Sequence, residues 1–327
     1  MNENVAKRHV VGVDVSTELT TYAVVDILGG IIAKESFPTF DYPNVNEYVT
    51  VLSEKIITLV EQHGGYESVR SVGMSAPSGN FVTGSIENAS NIPWKGHVPL
   101  AAMLRDRLGL AVALGNDAHV TAVGEKTFGA ARGFRNFVIV SVSHGGVGSC
   151  IYLDGHAHLG AEGFAGEFGH ICFKENGRQC SCGHYGCLEE YVSARGMVKT
   201  AQEILQETGK TSVLQQVNTM TTQAIADACE QGDEVALETF RRTGSILGKA
   251  LASLASLTDP EAIILTGDLT LYSKWIMDVM KESFEESVFH NLKGKVNILI
   301  SPLNNSERDV LGASALAWEV KEYSLFK

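Results

Sequence analysis

Strand, tight loop, strand, glycine turn, strand: this order occurs twice in the chain, and it restricts the fold more than any other feature. In the first copy Val10–Val15 is an apolar, β-branched run, Ser16–Leu19 a polar loop, Thr20–Ile27 a second run, Gly29-Gly30 a turn and Ile31–Phe37 a third run. The second copy reads Phe137–Val142, a small-residue loop over Ser143–Gly148, a strand over Ser149–Leu153 and a hairpin turn at Asp154-Gly155. Packed face to face, two such halves point two loops into one cleft. The second loop carries Gly145, Gly146 and Gly148, whose bare backbone suits a phosphate chain.

Helical spacing fills the space between the copies. Val45, Val49, Leu52, Ile56 and Leu59 recur on one face, and Gly64-Gly65 ends that helix. Arg70–Ser75 and Ala111–Gly115 read as strands, and Pro99–Leu108 and Ala118–Gly129 as helices. Later come a long leucine-rich helix over Thr239–Leu257, strands at Ala262–Thr266 and Val296–Ile300, and a terminal helix over Val310–Lys321. Alternating strands and helices give an α/β class with mixed sheets, because the hairpins require antiparallel pairs. With 327 residues, 44% of them apolar, the chain is long enough for two domains with real cores. A net charge of −12 and the lack of a Lys/Arg cluster argue against nucleic-acid or anionic-membrane partners. No stretch approaches the apolar length of a membrane span, and a cytoplasmic, reducing setting is expected.

The chemistry begins with cysteine. Cys180, Cys182 and Cys187 are bunched, whereas Cys150, Cys172 and Cys229 sit in apolar or helical context. Neighbours in a Cys-x-Cys are hard to bridge to each other, so the bunching points to metal rather than disulfides. With His170 the three thiols make a closed tetrahedral shell for a structural Zn2+, and Gly183 and Gly186 supply the tight loop it needs. His184 is an alternative fourth ligand. Glu167 and Glu189 flank the ligands, so the metal could hold carboxylates in place for sugar hydroxyls.

A second signal is Asn116-Asp117, at the end of an apolar strand and the start of a helix. A carboxylate there faces the crevice where α/β sheets bind ligands, although Asn or Asp at a helix start also serves as a plain cap.

The segment Gly163-Phe-Ala-Gly-Glu167-Phe-Gly-His170 with its Cys-x-Cys-Gly-x-x-Gly-Cys-x-Glu continuation resembles the ROK family of sugar kinases and sugar-responsive repressors. Ala76-Pro-Ser-Gly-Asn80, Asn91-Ile-Pro-Trp-Lys-Gly96, Asn116-Asp117-Ala118 and the stretch Leu311–Glu319 are similar to the bacterial glucokinases within it. The resemblance implies an actin-like ATPase (ribonuclease H-like) fold, two α/β domains around a central cleft. The expected division is residues 1–117 with 312–327, and residues 118–311 carrying the zinc motif. It implies an ATP-dependent hexose kinase in which Asp117 is the general base and Asn116, Glu167, His170 and Glu189 hold the sugar. Asp14, Gly145, Gly146, Gly148 and Gly267 fall on the nucleotide side, with Mg2+ accompanying ATP. A homodimer is the assembly the family implies, and Gly79, Asn80 and Asn91 are further residues that it places near the sugar.

Departures from the family pattern cluster at the nucleotide end. Asp14-Val-Ser16-Thr17-Glu18 replaces Asp-x-Gly-Gly-Thr, His144-Gly145-Gly146-Val147-Gly148 replaces Gly-Thr-Gly-x-Gly, and Thr266-Gly267-Asp268 replaces a glycine triplet. A Glu18 carboxylate about 4 Å from a phosphate charge repels it by about 1 kcal/mol in water and about 4 kcal/mol at an effective dielectric of 20. The alternative to a kinase is therefore a sugar-binding regulator or sensor with degenerate nucleotide loops. Only nine residues precede Val10, so no helix-turn-helix domain is expected and direct DNA binding is disfavoured.

Overall fold

A computed structural model describes residues 7–89, 91–143 and 145–320. The His144 substitution noted above and the Lys321 end of the expected terminal helix lie outside the described residues. The chain divides into two compact units: one contains the residues up to Gly133, Leu159–Phe164 and Pro302 onward, the other Phe134–His158 and Ala165–Ser301.

The first unit opens with β1 (His9–Val15), β2 (Leu19–Asp26) and β3 (Ile31–Pro38), followed by α1 (Val45–Gln62) and β4 (Val69–Ser75). Short strands β5 (Gly79–Asn80), β6 (Ser85–Glu87) and β7 (His97–Val98) form a small antiparallel sheet before α2 (Leu100–Leu108), β8 (Ala111–Gly115) and α3 (Asp117–Phe128). The main sheet has the order β3-β2-β1-β4-β8, antiparallel among the first three strands and parallel from β1 to β8. Asn44 caps α1 by accepting from the amides of Asn46 and Glu47, and the helix lays Val49, Leu52, Ile56 and Leu59 into the core. Trp94 is buried there against Tyr48, and its indole N–H donates to the Tyr42 carbonyl at 3.0 Å.

The second unit contains β9 (Phe137–Ser143), β10 (Gly146–Leu153), β11 (His156–Ala157), α4 (Glu189–Val192), α5 (Ala194–Thr208), α6 (Thr222–Glu230), α7 (Glu234–Thr258), β12 (Ala262–Thr266), α8 (Ser273–Ser287) and β13 (Asn297–Ile300). Its sheet order, β11-β10-β9-β12-β13, repeats that of the first, with the same antiparallel and parallel pairs. The duplication read in the sequence is thus a duplication of sheet topology. Asp154 and Gly155, with φ of 51° and 85°, make the positive-φ turn that joins β10 to β11.

One expected loop is shorter than read. Gly146 already pairs with Ser143, so Gly146, Val147 and Gly148 belong to β10 and not to a loop over Ser143–Gly148. A glycine run is read as a breaker, but a strand accepts glycine where another group approaches its backbone closely. The long helix begins earlier than the expected Thr239, at Glu234, because the Asp233 carboxylate accepts from the Val235 and Ala236 amides.

The chain then returns to the first unit as α9 (Asn305–Glu319), which starts ahead of the expected Val310. This helix lies flat on the sheet because glycines face it. A Cβ on Gly12 would stand 2.4 Å from the Val310 carbonyl oxygen, and one on Gly73 only 1.9 Å from that of Ala313. On α3, a Cβ at Gly124 would meet the Gly312 Cα at 2.9 Å. A division at 117/118 and 311/312 would cut α3 from this packing and split α9, so the units separate elsewhere. Residues Leu159–Phe164 also return to the first unit, where the Asn80 side-chain amide donates to the Glu162 carbonyl at 2.9 Å.

The close approach of α9 gives a direct test. Gly73→Ala is expected to lower unfolding free energy by about 1–3 kcal/mol, the usual cost of overpacking. Gly145→Ala, where a Cβ meets nothing within 4 Å, is expected to leave it unchanged in the same denaturant titration. Equal stability of Gly73→Ala and wild type would contradict the packing described.

Candidate functional site

In the second unit, a short helical turn over Phe168–His170 delivers His170, and an irregular hairpin then brings the thiols to it. Cys172 bridges to Cys187 and Gln179 to Tyr185, which closes the segment on itself. The donor atoms of His170, Cys180, Cys182 and Cys187 all lie within 4.8 Å of one another. Cys180 Sγ is 3.8 Å from His170 Nδ1, and Cys182 Sγ is 3.6 Å from Cys187 Sγ. Zinc-bound thiolates at about 2.3 Å from the metal define a tetrahedral edge of about 3.8 Å, so the four residues fit that ion. His184 is exposed and stands outside the cluster. The Cys182 thiol is held below its usual range, chiefly by the His184 backbone amide, while burial pushes Cys180 up to about 12 and Cys187 upward as well.

Two buried carboxylates follow the last thiol. Glu189 accepts from Cys180 Sγ at 3.2 Å and from Arg195 Nη2 at 3.2 Å. Its Oε2 would stand 2.5 Å from a Cβ at Gly146, whose φ of +151° L side chains rarely adopt. Gly146 is therefore glycine so that this carboxylate can lie against β10. Glu190, which the sequence reading passed over, takes Arg195 at 2.8 Å and Lys199 at 2.5 Å. The signal was there: two acids at a helix start with cations five and nine residues on. Glu167 Oε2 lies 3.9 Å from His170 Nε2, the ring nitrogen opposite the one that faces Cys180.

Gly267 ends β12 with φ +85°, and a Cβ there would meet the Val142 carbonyl at 2.5 Å. Beside it lies a cavity of about 390 Å3 walled by Val142, Met197, Met220, Asp268 and Tyr272, among others. Two buried polar atoms without a protein partner belong to residues of its wall, Thr222 Oγ1 and Arg195 Nε. Gly148 lies inside β10, paired with Ser141, and Gly145 precedes that strand.

The first unit holds the other candidates. Asn116 does cap α3, its Oδ1 accepting from the His119 amide at 2.7 Å. Asp117 accepts from the Ala118 amide at 2.9 Å and keeps access to solvent. Its carboxyl is nevertheless raised above the carboxylate range, first by the protein packed around it and then by Asp309. Asp14, on β1, is raised to about 8 by burial, then by the charges of Asp309 and Asp117, against an opposing hydrogen bond from Ser75. Asp309 and the buried Arg308, both on α9, were not singled out in the sequence, where they stand just ahead of the expected helix start at Val310 and look like ordinary surface charges. The Ser16–Leu19 loop is closed by its own bonds: the Ser16 hydroxyl donates to the Leu19 carbonyl at 2.8 Å. Glu18 is exposed at its tip. Asn80 is buried, with Oδ1 accepting from the Val82 amide, and Asn91 is exposed.

The family description "ROK family" matches residues 10–320. A glucokinase of Streptomyces coelicolor is 31% identical over 317 residues, covering 94% of this chain and 97% of its own. The xylose repressor of Bacillus spizizenii is 25% identical over 311 residues, covering 94% of this chain and 77% of its own. A ROK family glucokinase from Streptomyces griseus, crystallised with glucose and AMPPNP, matches with a TM-score of 0.77 at 29% identity, covering 95% of this chain and 100% of that one. The chain belongs to the ROK family. Its duplicated mixed sheets are those of the actin-like ATPase fold.

The carboxylate crowding around Asp14 has a measurable cost. A carboxyl whose folded pKa lies above its unfolded one favours the folded state fully at low pH and loses that contribution as pH rises from about 4 to about 8. Asp14→Asn is expected to be more stable than wild type at pH 8, by on the order of a few kcal/mol, with the difference shrinking toward pH 4. Denaturant unfolding at the two pH values checks it. A pH-independent difference would contradict the shift.

Proposed function

We propose that this protein is a carbohydrate kinase that transfers the γ-phosphoryl group of ATP to a hydroxyl of a hexose. The observation that carries this reading is Asp117: an accessible carboxylate at the first turn of α3, whose surroundings raise its proton affinity above the ordinary carboxylate range, the direction a general base needs. Support comes from the full-length likeness to glucokinases.

In the proposed reaction Asp117 accepts the proton of the attacking sugar hydroxyl as that oxygen bonds to the γ-phosphorus and ADP leaves. Glu189, Glu167, His170 and Asn116 hold and orient the other hydroxyls. Glu189 comes to this task already positioned by Cys180, Arg195 and Gly146. Asp14 and Asp309 are the carboxylates that would hold Mg2+ arriving with the nucleotide, which offsets phosphate charge. The cavity beside Gly267 offers apolar walls for the nucleoside, and in this reading Gly145, Gly146 and Gly148 would lie on the phosphate side. His170, Cys180, Cys182 and Cys187 would hold a structural Zn2+, whose chemistry is to cross-link the hairpin. A homodimer and a cytoplasmic setting complete the proposal.

A second reading, a sugar-responsive sensor, is favoured by one feature. The Ser16 hydroxyl is engaged inside its own loop, and Glu18 puts a carboxylate at the tip where a phosphate donor is expected. Solvent around Glu18 keeps its repulsion near the aqueous value of about 1 kcal/mol.

Two variants separate the readings in an assay of hexose-dependent ADP release. Asp117→Asn is expected to retain hexose binding by calorimetry while kcat falls about 10²–10⁴-fold, because an amide cannot take the proton. Unchanged turnover removes Asp117 from the mechanism. Glu18→Thr is expected to lower the KM for ATP by less than about tenfold, the size of one solvent-screened charge contact. Silence of both wild type and Glu18→Thr, with hexose still bound, decides for the sensor.

A further inference from the structure

The sequence places Cys172 in an apolar setting, yet in the structure its side chain is exposed, and it faces a member of the thiol cluster. Cys172 and Cys187 form an antiparallel bridge. The flanking bonds run from Phe173 N to Gly186 O at 2.8 Å and from Leu188 N to Ile171 O at 3.0 Å. Bonds on either side of a pair, and none within it, define a non-hydrogen-bonded pair, with Cα atoms about 4.5 Å apart and both side chains on one face of the ribbon. That separation lies at the near end of the range over which disulfides form, about 4.4–6.8 Å. Cys172 Sγ donates to the Tyr185 carbonyl at 3.9 Å, toward the strand that carries Cys187. Cys187 itself is buried, so Cys172 is the thiol of the pair that meets solutes.

We infer that Cys172 and Cys187 form an oxidisable dithiol, a modification site at which hydrogen peroxide closes a cross-strand disulfide and dismantles the Cys–His cluster. In the first step the Cys172 thiolate attacks a peroxide oxygen, the O–O bond breaks, and Cys172 sulfenic acid and hydroxide are formed. In the second the Cys187 thiolate attacks the sulfenic sulfur; the S–S bond forms and a second hydroxide leaves. Two thiols lose two electrons, and one peroxide, with two protons, becomes two waters. Cys187 can no longer serve as a thiolate ligand. The three remaining donors, His170, Cys180 and Cys182, form an open shell that binds zinc more weakly.

The consequence reaches the sugar end by two routes, the chain itself and a hydrogen bond. Glu189 is two residues from Cys187 and accepts a hydrogen bond from Cys180. Oxidation is expected to loosen this carboxylate and lower hexose affinity until a dithiol reductant and zinc are restored. This last effect rests on the reading of Glu189 given above, whereas the disulfide does not.

The test uses the full-length protein purified without chelator and treated with hydrogen peroxide. Remaining thiols are blocked, the disulfides are mapped by tandem mass spectrometry of non-reduced tryptic peptides, and released zinc is read with a chromogenic chelator. Cleavage after Lys174 and Arg178 separates Cys172 from Cys180, Cys182 and Cys187, so its bridge appears as a linked pair of peptides, and fragment ions assign the link to Cys172 rather than Cys150 on one peptide and to Cys187 rather than Cys180 or Cys182 on the other. A Cys172–Cys187 link is expected to dominate, with zinc released on the same time course. Cys172→Ser is expected to slow zinc release at least about tenfold, since Cys172 is the solvent-facing thiol of the pair, whereas release through the exposed Cys182 alone would leave the rate unchanged and count against the proposal. Wild type that carries no zinc yet forms the Cys172–Cys187 link would keep the dithiol and remove its metal consequence. Links among Cys180, Cys182 and Cys187, or equal zinc loss from Cys172→Ser and wild type, would overturn the proposal. Hexose affinity is measured separately: an unchanged value after complete Cys172–Cys187 closure counts against the role of Glu189 and leaves the modification site standing.

Discussion

The contact between the Cys180 thiol and the Glu189 carboxylate joins the two halves of the second unit's chemistry. On one side of it is a four-residue donor cluster that cannot form without the tight turns of the hairpin. On the other is a buried carboxylate that would be costly to maintain alone, since an ionised group away from water needs partners. Arg195 supplies charge, Cys180 supplies a donor, and Gly146 supplies room. A carboxylate fixed by three independent elements is pre-organised, and pre-organisation is what lets a site bind polyhydroxyl ligands without ordering itself first.

The first unit treats its acids in the opposite way. Burial first, and then the charge of Asp309, raise both Asp14 and Asp117, and Asp117 adds to the rise at Asp14, with Arg308 only partly compensating. The close packing of α9 on Gly12 and Gly73 places Asp309 near β1, so the same glycines that stabilise the helix also build the charge cluster. Strain of this kind is relieved by a cation, and a site that is tense without its ligand gains affinity from that relief. Folding stability and ligand binding thus pull against each other at Asp14, as they commonly do in functional sites.

Legibility in the sequence followed the range of the interactions. The repeated strands and turns could be read because period, β-branching and glycine pairs are local signals. Asn116-Asp117 and the Cys–His cluster could be read because spacing alone carries them. The return of Leu159–Phe164 to the first unit could not be read, as it depends on Asn80 reaching the Glu162 carbonyl far along the chain. Gly146 looked like loop material because its neighbour Glu189 lies more than forty residues away. Asp309 gave no local hint, and the pairing of Cys172 with Cys187 needed the hairpin to exist first. Family resemblance supplied the roles of Asp14 and Gly267, which no spacing argument reaches.

The central claim is that a metal-held hairpin keeps the sugar-binding carboxylate in place. Calorimetric titration of hexose into the purified protein, before and after removal of metal by a chelator, with zinc counted in each sample, tests it most directly. The account predicts about one zinc per chain before treatment and an affinity that falls at least about tenfold after it, returning when zinc is added back. Equal hexose affinity with and without the metal would contradict it.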